Sequence, residues 1–308
     1  MDKVVLLLLM FWNVENFYDP YPSGQYNDAE FTATGEKRWT YGRFTRKADD
    51  IAKIIVSATD DKSLPDMIAF AEIENRYVLE HLLEKTILKH YRDRYRIIHK
   101  DSPDPRGSDV ALIYNIDRYK LLKTQFHKVV TAQKDTLATR EILYAEFVGK
   151  MNKRDTLHIF VNHWPSKRGG KKRSRDRREA ASELLNCLAD SVKKRHPQHF
   201  VLACGDFNTP QPNINLGNVD IEPVLWYEKL KAEGSYKYKG RWEMIDNCFI
   251  YSPNGTRCEN FELLLFNHPY LLLPDKIYLG LKPRRTYLGP IYRGGVSDHL
   301  PLVLRIYR

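Results

Sequence analysis

Carboxylate, amide and imidazole side chains occur next to short apolar runs at several places in the sequence. Carboxylate and amide oxygens are the ligands that Mg²⁺ and Mn²⁺ prefer, and a histidine beside a carboxylate can activate a water molecule. One such motif alone is typical of a turn, because Asp and Asn side chains hydrogen-bond to nearby backbone. Its repetition indicates a shared site. The motifs are Asn-Val-Glu-Asn (13–16), Ala-Glu (71–72), Asn-His-Trp-Pro (162–165), Gly-Asp-Phe-Asn (205–208) and Ser-Asp-His (297–299).

The apolar runs beside these motifs have the length and composition of β-strands, and helical patterns separate several of them. This alternation predicts an α/β protein, and ligands bind at strand ends in such sheets. Strands are predicted at 4–12, 67–71, 110–114, 142–148, 157–162, 200–205, 244–251 and 302–307, and helices at 44–58, 77–88 and 175–192.

The positive charge of the chain is concentrated in one segment. The net charge is +10, and residues 167–178 contain eight Lys or Arg and a single Asp. Such a patch is typical of proteins that bind a polyanion such as nucleic acid, but also of a solvated helix entrance. Because the run directly follows His163, we favour a role in substrate binding.

Composition and spacing exclude several other classes of protein. Hydrophobic residues make up 43% and charged residues 29% of the chain, as in soluble globular proteins. The apolar run at 4–12 is too short to span a bilayer and is interpreted as a buried strand. None of the four cysteines has the Cys-x-x-Cys spacing of zinc and redox motifs. We expect a soluble monomer without a membrane span or signal peptide, located in the cytoplasm, or exported if a signal has been removed.

The order of the motifs resembles that of the endonuclease/exonuclease/phosphatase superfamily, which includes deoxyribonuclease I. Segments 13–19, 39–43, 106–114 and 162–170 are similar to a bacterial nuclease-like branch. The resemblance implies a four-layered α/β sandwich in which two mixed sheets are flanked by helices. It also implies a single domain over residues 1–308.

The resemblance assigns catalytic roles to five residues. His299 matches the general base, and Asp246 matches the residue that orients it. Asp206 and Asn208 match groups that position the attacking water and the phosphate, and His163 matches a histidine that contacts the scissile phosphate. A histidine base needs a carboxylate partner to keep the correct tautomer, which suits this pair. The alternative is that Asp246 only caps a strand.

The resemblance also implies a site for Mg²⁺ or Mn²⁺ and contacts to the substrate phosphate. Glu72 matches the principal metal ligand, Asn13 and Asp298 help to build the site, and Glu15 is a secondary candidate. Arg140 resembles a phosphate-contacting arginine of the deoxyribonuclease branch. Asn162, Arg106 and the first residues of the basic run, Lys167 and Arg168, are further candidates for the substrate phosphate.

Several side chains near these motifs have two interpretations. Asp109 either partners His163 across the cleft or simply starts a strand. Arg106 either contacts phosphate or shapes a turn. Trp164 either stacks on the substrate or belongs to the core, which we favour. Asn75 is interpreted as a helix N-cap.

The sequence therefore predicts a divalent-metal-dependent phosphoesterase that hydrolyses a phosphodiester with a histidine-activated water. A nuclease-like enzyme acting on nucleic acid is the favoured form. The alternatives are a phosphatase, a phosphodiesterase acting on phospholipid headgroups, and a catalytically silent module that binds nucleic acid. Because the base, the metal carboxylate and the Gly-Asp-x-Asn aspartate are all present, we favour catalysis.

Overall fold

The computed structural model describes residues 5–22, 24, 26–59, 64–130, 136–152, 155–166, 171–210, 219–220, 224–225, 232–251 and 261–307. Lys167 and Arg168 lie outside these ranges. Among the described residues, no helix has the length and hydropathy needed to cross a bilayer.

Three α-helices and nineteen strands make up the regular structure of the described residues. The helices are α1 (Tyr41–Ser57), α2 (Arg76–Lys85) and α3 (Lys171–Arg195), with 3₁₀ turns at Ala29–Phe31, Ile87–Arg94 and Pro269–Leu271. The strands are β1 (Val5–Phe17), β2 (Met67–Ile73), β3 (Tyr95–His99), β4 (Asp109–Asn115), β5 (Tyr119–His127), β6 (Ile142–Gly149), β7 (Thr156–His163), β8 (Phe200–Asp206), β9 (Val219–Asp220), β10 (Val224–Leu225), β11 (Tyr236–Tyr238), β12 (Arg241–Glu243), β13 (Asp246–Tyr251), β14 (Phe261–Leu265), β15 (Leu272–Pro274), β16 (Leu281–Pro283), β17 (Tyr287–Leu288), β18 (Ile291–Tyr292) and β19 (Leu302–Tyr307).

Two large mixed sheets pack face to face. The first sheet has the order β10-β14-β19-β1-β2-β4-β3, and the second has the order β5-β6-β7-β8-β13-β9. Strands β1 and β2 contact β8 across the interface, α1 lies against β1, and α3 lies against β8. The layers are therefore helix, sheet, sheet and helix, which confirms the predicted four-layered sandwich.

Alternating burial shows how single strands serve two layers. In β7, Leu157, Ile159 and Val161 belong to the core that includes both sheets. The intervening Phe160 belongs to a second cluster with α3 residues such as Ala181 and Leu185. Because side chains alternate across a strand, one apolar run fills both interfaces.

All eight strands predicted from apolar runs are present, and their observed bounds differ by a few residues. The largest difference is at β1, which continues through the polar segment after residue 12 to Phe17. Helix α2 ends at Lys85 rather than at residue 88, because Thr86 caps the following 3₁₀ turn by accepting a hydrogen bond from Leu88 N (3.2 Å). The N-cap prediction for Asn75 is confirmed, since its side chain accepts from Val78 N (3.2 Å).

Candidate active site

The topology brings the predicted motifs to one edge of the sandwich. Strand β1 runs parallel to β2, and β7 runs parallel to β8, so their carboxyl ends lie on the same side of each sheet. Strands β19 and β13 run antiparallel to β1 and β8, so their amino ends lie there too. Asn13 Nδ2 joins the two sheets by donating to Asp206 Oδ2 at 3.1 Å. Motifs that are far apart in sequence therefore meet at one place.

Unusual backbone conformations shape this edge. Glu15, Asn16 and Glu72 have φ values of 48°, 51° and 64°, which side chains other than glycine rarely adopt. They form a bulge in which β1 advances four residues while β2 advances two. Asn16 N donates to Glu72 Oε2 at 2.8 Å, which holds the Glu72 carboxylate. Such strain is concentrated at functional sites.

A cleft of about 370 Å³ opens at this edge. Its lining combines carboxylates, histidines and arginines, as expected for a site that holds a cation and an anion together. Nine of the fourteen predicted site residues line it: Glu15, Glu72, Arg106, Arg140, His163, Asp206, Asn208, Asp298 and His299.

His299 and Asp246 form a buried pair at the back of the cleft. His299 Nδ1 lies 2.7 Å from Asp246 Oδ2, and His299 Nε2 faces Asp206 Oδ2 and Asp298 Oδ1, each at 3.9 Å. Burial is the largest single effect and opposes the charged imidazole, but the carboxylates of Asp246, Asp206 and Asp298 together outweigh it and raise the pKa of His299 well above its usual value. An Nδ1–H bonded to Asp246 leaves Nε2 as the proton acceptor.

Asp206, His163 and Asn208 lie beside this pair in the cleft. His163 Nε2 lies 3.6 Å from Asp206 Oδ2 and 4.0 Å from Glu72 Oε1. Burial, and then the charge of Arg140, lowers the pKa of His163, which favours a neutral imidazole. Asp206 Oδ1 accepts from Asn208 N at 2.9 Å, and burial raises the pKa of Asp206. These groups form a set of fixed donors and acceptors.

The donor set fits a hard divalent cation. Glu72 is partly exposed to the cleft, with 17% of its side-chain surface accessible, and ligand atoms of Asp206, Asp246 and His299 lie within 4.8 Å of one another. Asp246 Oδ1 is buried and finds no hydrogen-bond partner among the residues that the structure describes. The side chain of Asn13 is hydrogen-bonded within the protein. Its Oδ1 accepts from Glu15 N (3.0 Å) and its Nδ2 donates to Glu72 Oε1 (3.3 Å). It therefore positions carboxylates, and its oxygen is engaged.

The structure places Glu15 differently from the other predicted metal carboxylates. Its Oε2 accepts from Thr286 N at 2.7 Å, and its Oε1 lies 3.3 Å from Arg285 Nε. Lys47 Nζ lies behind it and donates to the Glu15 carbonyl and to Thr286 Oγ1. Burial, and then Asp298, raises the pKa of Glu15. Both carboxylate oxygens are thus engaged by the protein.

Arg285 and Tyr236 line the cleft although the sequence did not single them out. Arg285 Nη2 donates to Asp298 Oδ2 at 2.8 Å, and the Tyr236 ring lies 4.8 Å from that of His299. Ser297 Oγ donates to the Asn13 carbonyl at 2.7 Å and accepts from His299 N at 3.0 Å. No local signal distinguishes Arg285 from Arg284 or Arg293, which also precede Ser-Asp-His.

The predicted phosphate contacts divide into two groups. Arg106 and Arg140 line the cleft, and both are paired with Asp104, Arg140 through Nη1 at 2.9 Å. The structure does not place Asn162 at the cleft wall. Its side chain is buried, donates to the Phe160 carbonyl (3.2 Å) and accepts from Trp164 Nε1 (3.1 Å), because it fills the space between neighbouring strands. Lys167 and Arg168 lie outside the described residues.

Asp109 and Trp164 follow the simpler of their two interpretations. Asp109 begins β4 and pairs with His99 Nε2 at 3.2 Å, not with His163. Its other oxygen accepts from Ser102 N at 3.0 Å. Trp164 is 3% exposed and packs in the cluster beneath α3. Neither side chain lines the cleft.

Comparison with known proteins gives one family match and several structural matches. The family model described as "Endonuclease/Exonuclease/phosphatase family" matches residues 8–308. No curated protein matches by sequence. Similar solved structures include truncated TDP2 from Caenorhabditis elegans (TM-score 0.60, 13% identity, 98% of this chain and 97% of that chain). A mannosyl-6-phosphatase from Bacteroides thetaiotaomicron has a TM-score of 0.59 (15% identity, 97% and 98%).

A further match is D. rerio TDP2 complexed with single strand DNA product (TM-score 0.53, 15% identity, 98% of each chain). At these identities the structural matches show a shared fold. The prediction that residues 1–308 form a single domain stays a prediction.

Proposed function

Because the chain belongs to the endonuclease/exonuclease/phosphatase family and is a hydrolase of phosphate ester bonds, we propose that it is a divalent-metal-dependent, nuclease-like phosphodiesterase. His299 is the general base of this proposal, Asp246 orients it, and Glu72 is the principal metal ligand. The cation is Mg²⁺ or Mn²⁺, since the donors are carboxylate oxygens.

The His299–Asp246 pair is the observation that carries the proposal. Its 2.7 Å hydrogen bond fixes the imidazole at the back of the cleft. His299 Nε2 faces the same space as Asp206 Oδ2, His163 Nε2 and Glu72 Oε1. A water held between Asp206 and His299 has an acceptor for its proton and lies beside the groups that bind the phosphate.

Five side chains of the site have a defined part in the proposed hydrolysis. His299 Nε2 accepts a proton from the attacking water, and Asp246 stabilises the resulting imidazolium. The side chains of His163, Arg106 and Arg140 face the phosphate and stabilise the charge that develops on its oxygens. A divalent cation, when bound, supplies Lewis-acid polarisation of a phosphate oxygen.

Nucleic acid is the proposed substrate. The net charge of +10 and the basic run at 167–178 favour a polyanion, and Arg106 and Arg140 place two more cations at the cleft wall. Tyr236 and Tyr238 also line the cleft, and tyrosine rings stack on bases without sequence preference.

A substrate panel with matched variants tests the proposal. Plasmid DNA, RNA, bis(p-nitrophenyl) phosphate, a phosphomonoester and sphingomyelin are each assayed with Mg²⁺, Mn²⁺ and EDTA. We expect DNA cleavage that requires the metal and falls by roughly a hundredfold or more in His299→Ala. His99→Ala is the control, because His99 also pairs with an aspartate but lies outside the cleft lining.

Each outcome of the panel has a distinct meaning. Equal turnover by His299→Ala and the wild type would contradict the mechanism. Turnover of the phosphomonoester or of sphingomyelin alone would replace the nuclease by the phosphatase or by the headgroup phosphodiesterase. DNA binding without hydrolysis of any substrate would indicate a silent binding module.

The basic run has its own test. Replacement of Lys171, Lys172 and Arg173 by Ala removes three charges that would contact a DNA backbone. Each lost phosphate contact makes the salt dependence of DNA binding shallower, by about one unit of slope. An unchanged slope would indicate a small substrate instead of nucleic acid.

A further inference from the structure

Arg285 holds two carboxylates together at one wall of the cleft. Its Nη2 donates to Asp298 Oδ2 at 2.8 Å, and its Nε lies 3.3 Å from Glu15 Oε1. The residue lies between β16 and β17, and Thr286 beside it donates its N–H to Glu15 Oε2 at 2.7 Å. The segment thus delivers a guanidinium and a backbone N–H to the same pair of acids.

The location of these acids explains why a cation is needed between them. Glu15 is 4% exposed and the Asp298 side chain is 18% exposed, and two poorly solvated carboxylates repel each other unless a positive charge lies close by. A divalent metal ion is one solution, as in two-metal phosphoesterases whose ions lie about 4 Å apart. Here a guanidinium fills that place, and it stays charged throughout the pH range of activity.

We propose that Arg285 is a built-in cation that takes the place of a second metal ion at Glu15 and Asp298, so that the cleft holds a single divalent ion beside Glu72. The inference rests on the proposed function, because it concerns the metal content of the same site. It makes Arg285 a positioning residue for the two acids and the fixed charge of that wall.

The Arg285 guanidinium occupies the position between the two acids at which a second ion would bind. A Mg²⁺ ion lies about 2.1 Å from its oxygen ligands, so a metal bridging Glu15 Oε1 and Asp298 Oδ2 would have to displace the guanidinium from both. Glu15 Oε2 is already bonded to Thr286 N. A second ion thus becomes possible once the arginine side chain is removed.

The guanidinium also remains available to the substrate. Arg285 lines the cleft with 39% of its side chain exposed. Its bonds to the two acids use Nε and Nη2, and within the described part of the chain no acceptor is bonded to Nη1. A phosphate oxygen in the cleft can therefore gain a charge-assisted hydrogen bond. One side chain would orient the acids and carry the charge that a second metal otherwise supplies.

Mn²⁺ binding stoichiometry tests this directly. Free Mn²⁺ is measured by electron paramagnetic resonance during titration of the wild type, Arg285→Ala, Arg285→Lys and Arg284→Ala. We expect one ion per chain for the wild type, for Arg285→Lys, which keeps the charge, and for the neighbouring control Arg284→Ala. We expect two ions for Arg285→Ala, and one again when Glu15→Gln is added to it.

The metal dependence of activity gives a second readout that a purely structural role would not change. We expect the rate to depend on Mn²⁺ concentration to first order in the wild type and to second order in Arg285→Ala. The variant is slower by about a hundredfold at low Mn²⁺ and recovers in part at high Mn²⁺. Arg285→Gln, which is closer in shape, replaces Arg285→Ala if circular dichroism shows that the alanine variant does not fold.

The outcomes separate this inference from the proposed function. Two ions in the wild type, or one ion in both Arg285→Ala and Arg285→Gln, would overturn the role of Arg285 and leave the metal-dependent phosphodiesterase intact. A wild type that binds no Mn²⁺ would overturn the proposed function, and the inference with it.

Discussion

The replacement Asp246→Asn changes the charge next to the proposed base while keeping the size of the side chain. In the wild type, the carboxylate of Asp246, together with those of Asp206 and Asp298, outweighs burial and raises the pKa of His299. Without this negative charge the imidazolium is less stable, so the pKa of His299 falls. The acid limb of the pH–rate profile, which reports deprotonation of the base, therefore moves to lower pH.

The size of the shift follows from the 2.7 Å hydrogen bond between His299 Nδ1 and Asp246 Oδ2. A hydrogen bond to a charged group contributes about 1.5–3 kcal/mol. Since one pKa unit corresponds to about 1.4 kcal/mol, the limb should move by about one to two pH units. The rate on the plateau also falls, by up to about ten-thousandfold, because the amide favours the tautomer with the proton on Nε2.

The assay is kcat/KM for bis(p-nitrophenyl) phosphate between pH 5 and pH 10 at saturating Mn²⁺. Asp109→Asn is the control, because Asp109 forms the corresponding pair with His99 outside the cleft lining. It should leave the limb in place. A limb that stays unmoved in Asp246→Asn, or that moves to higher pH, would refute the assignment of His299 as the base.

Three further predictions concern the metal ligand, a buried lysine and acid stability. Glu72→Gln should weaken Mn²⁺ binding in calorimetry and lower activity by about a hundredfold; unchanged binding would remove Glu72 from the site. Lys47→Met should lower the free energy of unfolding by about 3–5 kcal/mol in urea, because two buried acceptors lose their donor. Lys53→Met, on the exposed side of the same helix, should change it by under about 1 kcal/mol, and equal losses would contradict the role of Lys47. Burial lowers the pKa of His158 to about 3, below its value in the unfolded chain. Stability should therefore be lost as the pH falls from about 6.5 toward 3, and His158→Phe should reduce that loss in urea titrations.

The apolar runs were sufficient to predict the eight long strands, because each has a length and composition that few other structures accommodate. The edge strand β5 was missed, since its residues alternate between half-buried and exposed and carry Lys120 and Lys123. Strands of two or three residues, such as β17 and β18, carry too little pattern to be recognised. These short strands form because the tertiary structure brings the two segments side by side.

The candidate site was predictable in its residue types but not in its detailed contacts. Asp206 and His299 could be proposed because strand ends in α/β sheets gather at one edge. The partners of Glu15 could not, because Arg285 is 270 residues away along the chain. Likewise, no pattern in the neighbouring sequence predicts the hydrogen bond between His99 and Asp109. Such contacts depend on strand order and loop paths, which short-range patterns do not encode.

In this account Glu72 holds a divalent cation beside a water molecule that Asp206 positions and His299 activates. Anomalous scattering from a crystal soaked in Mn²⁺ measures this directly. A peak in the cleft, within coordination distance of a Glu72 oxygen and beside Asp206, is the predicted result. A cleft without a peak, or a peak at the second acidic cluster of His99, Asp101 and Asp109 instead, would contradict the account.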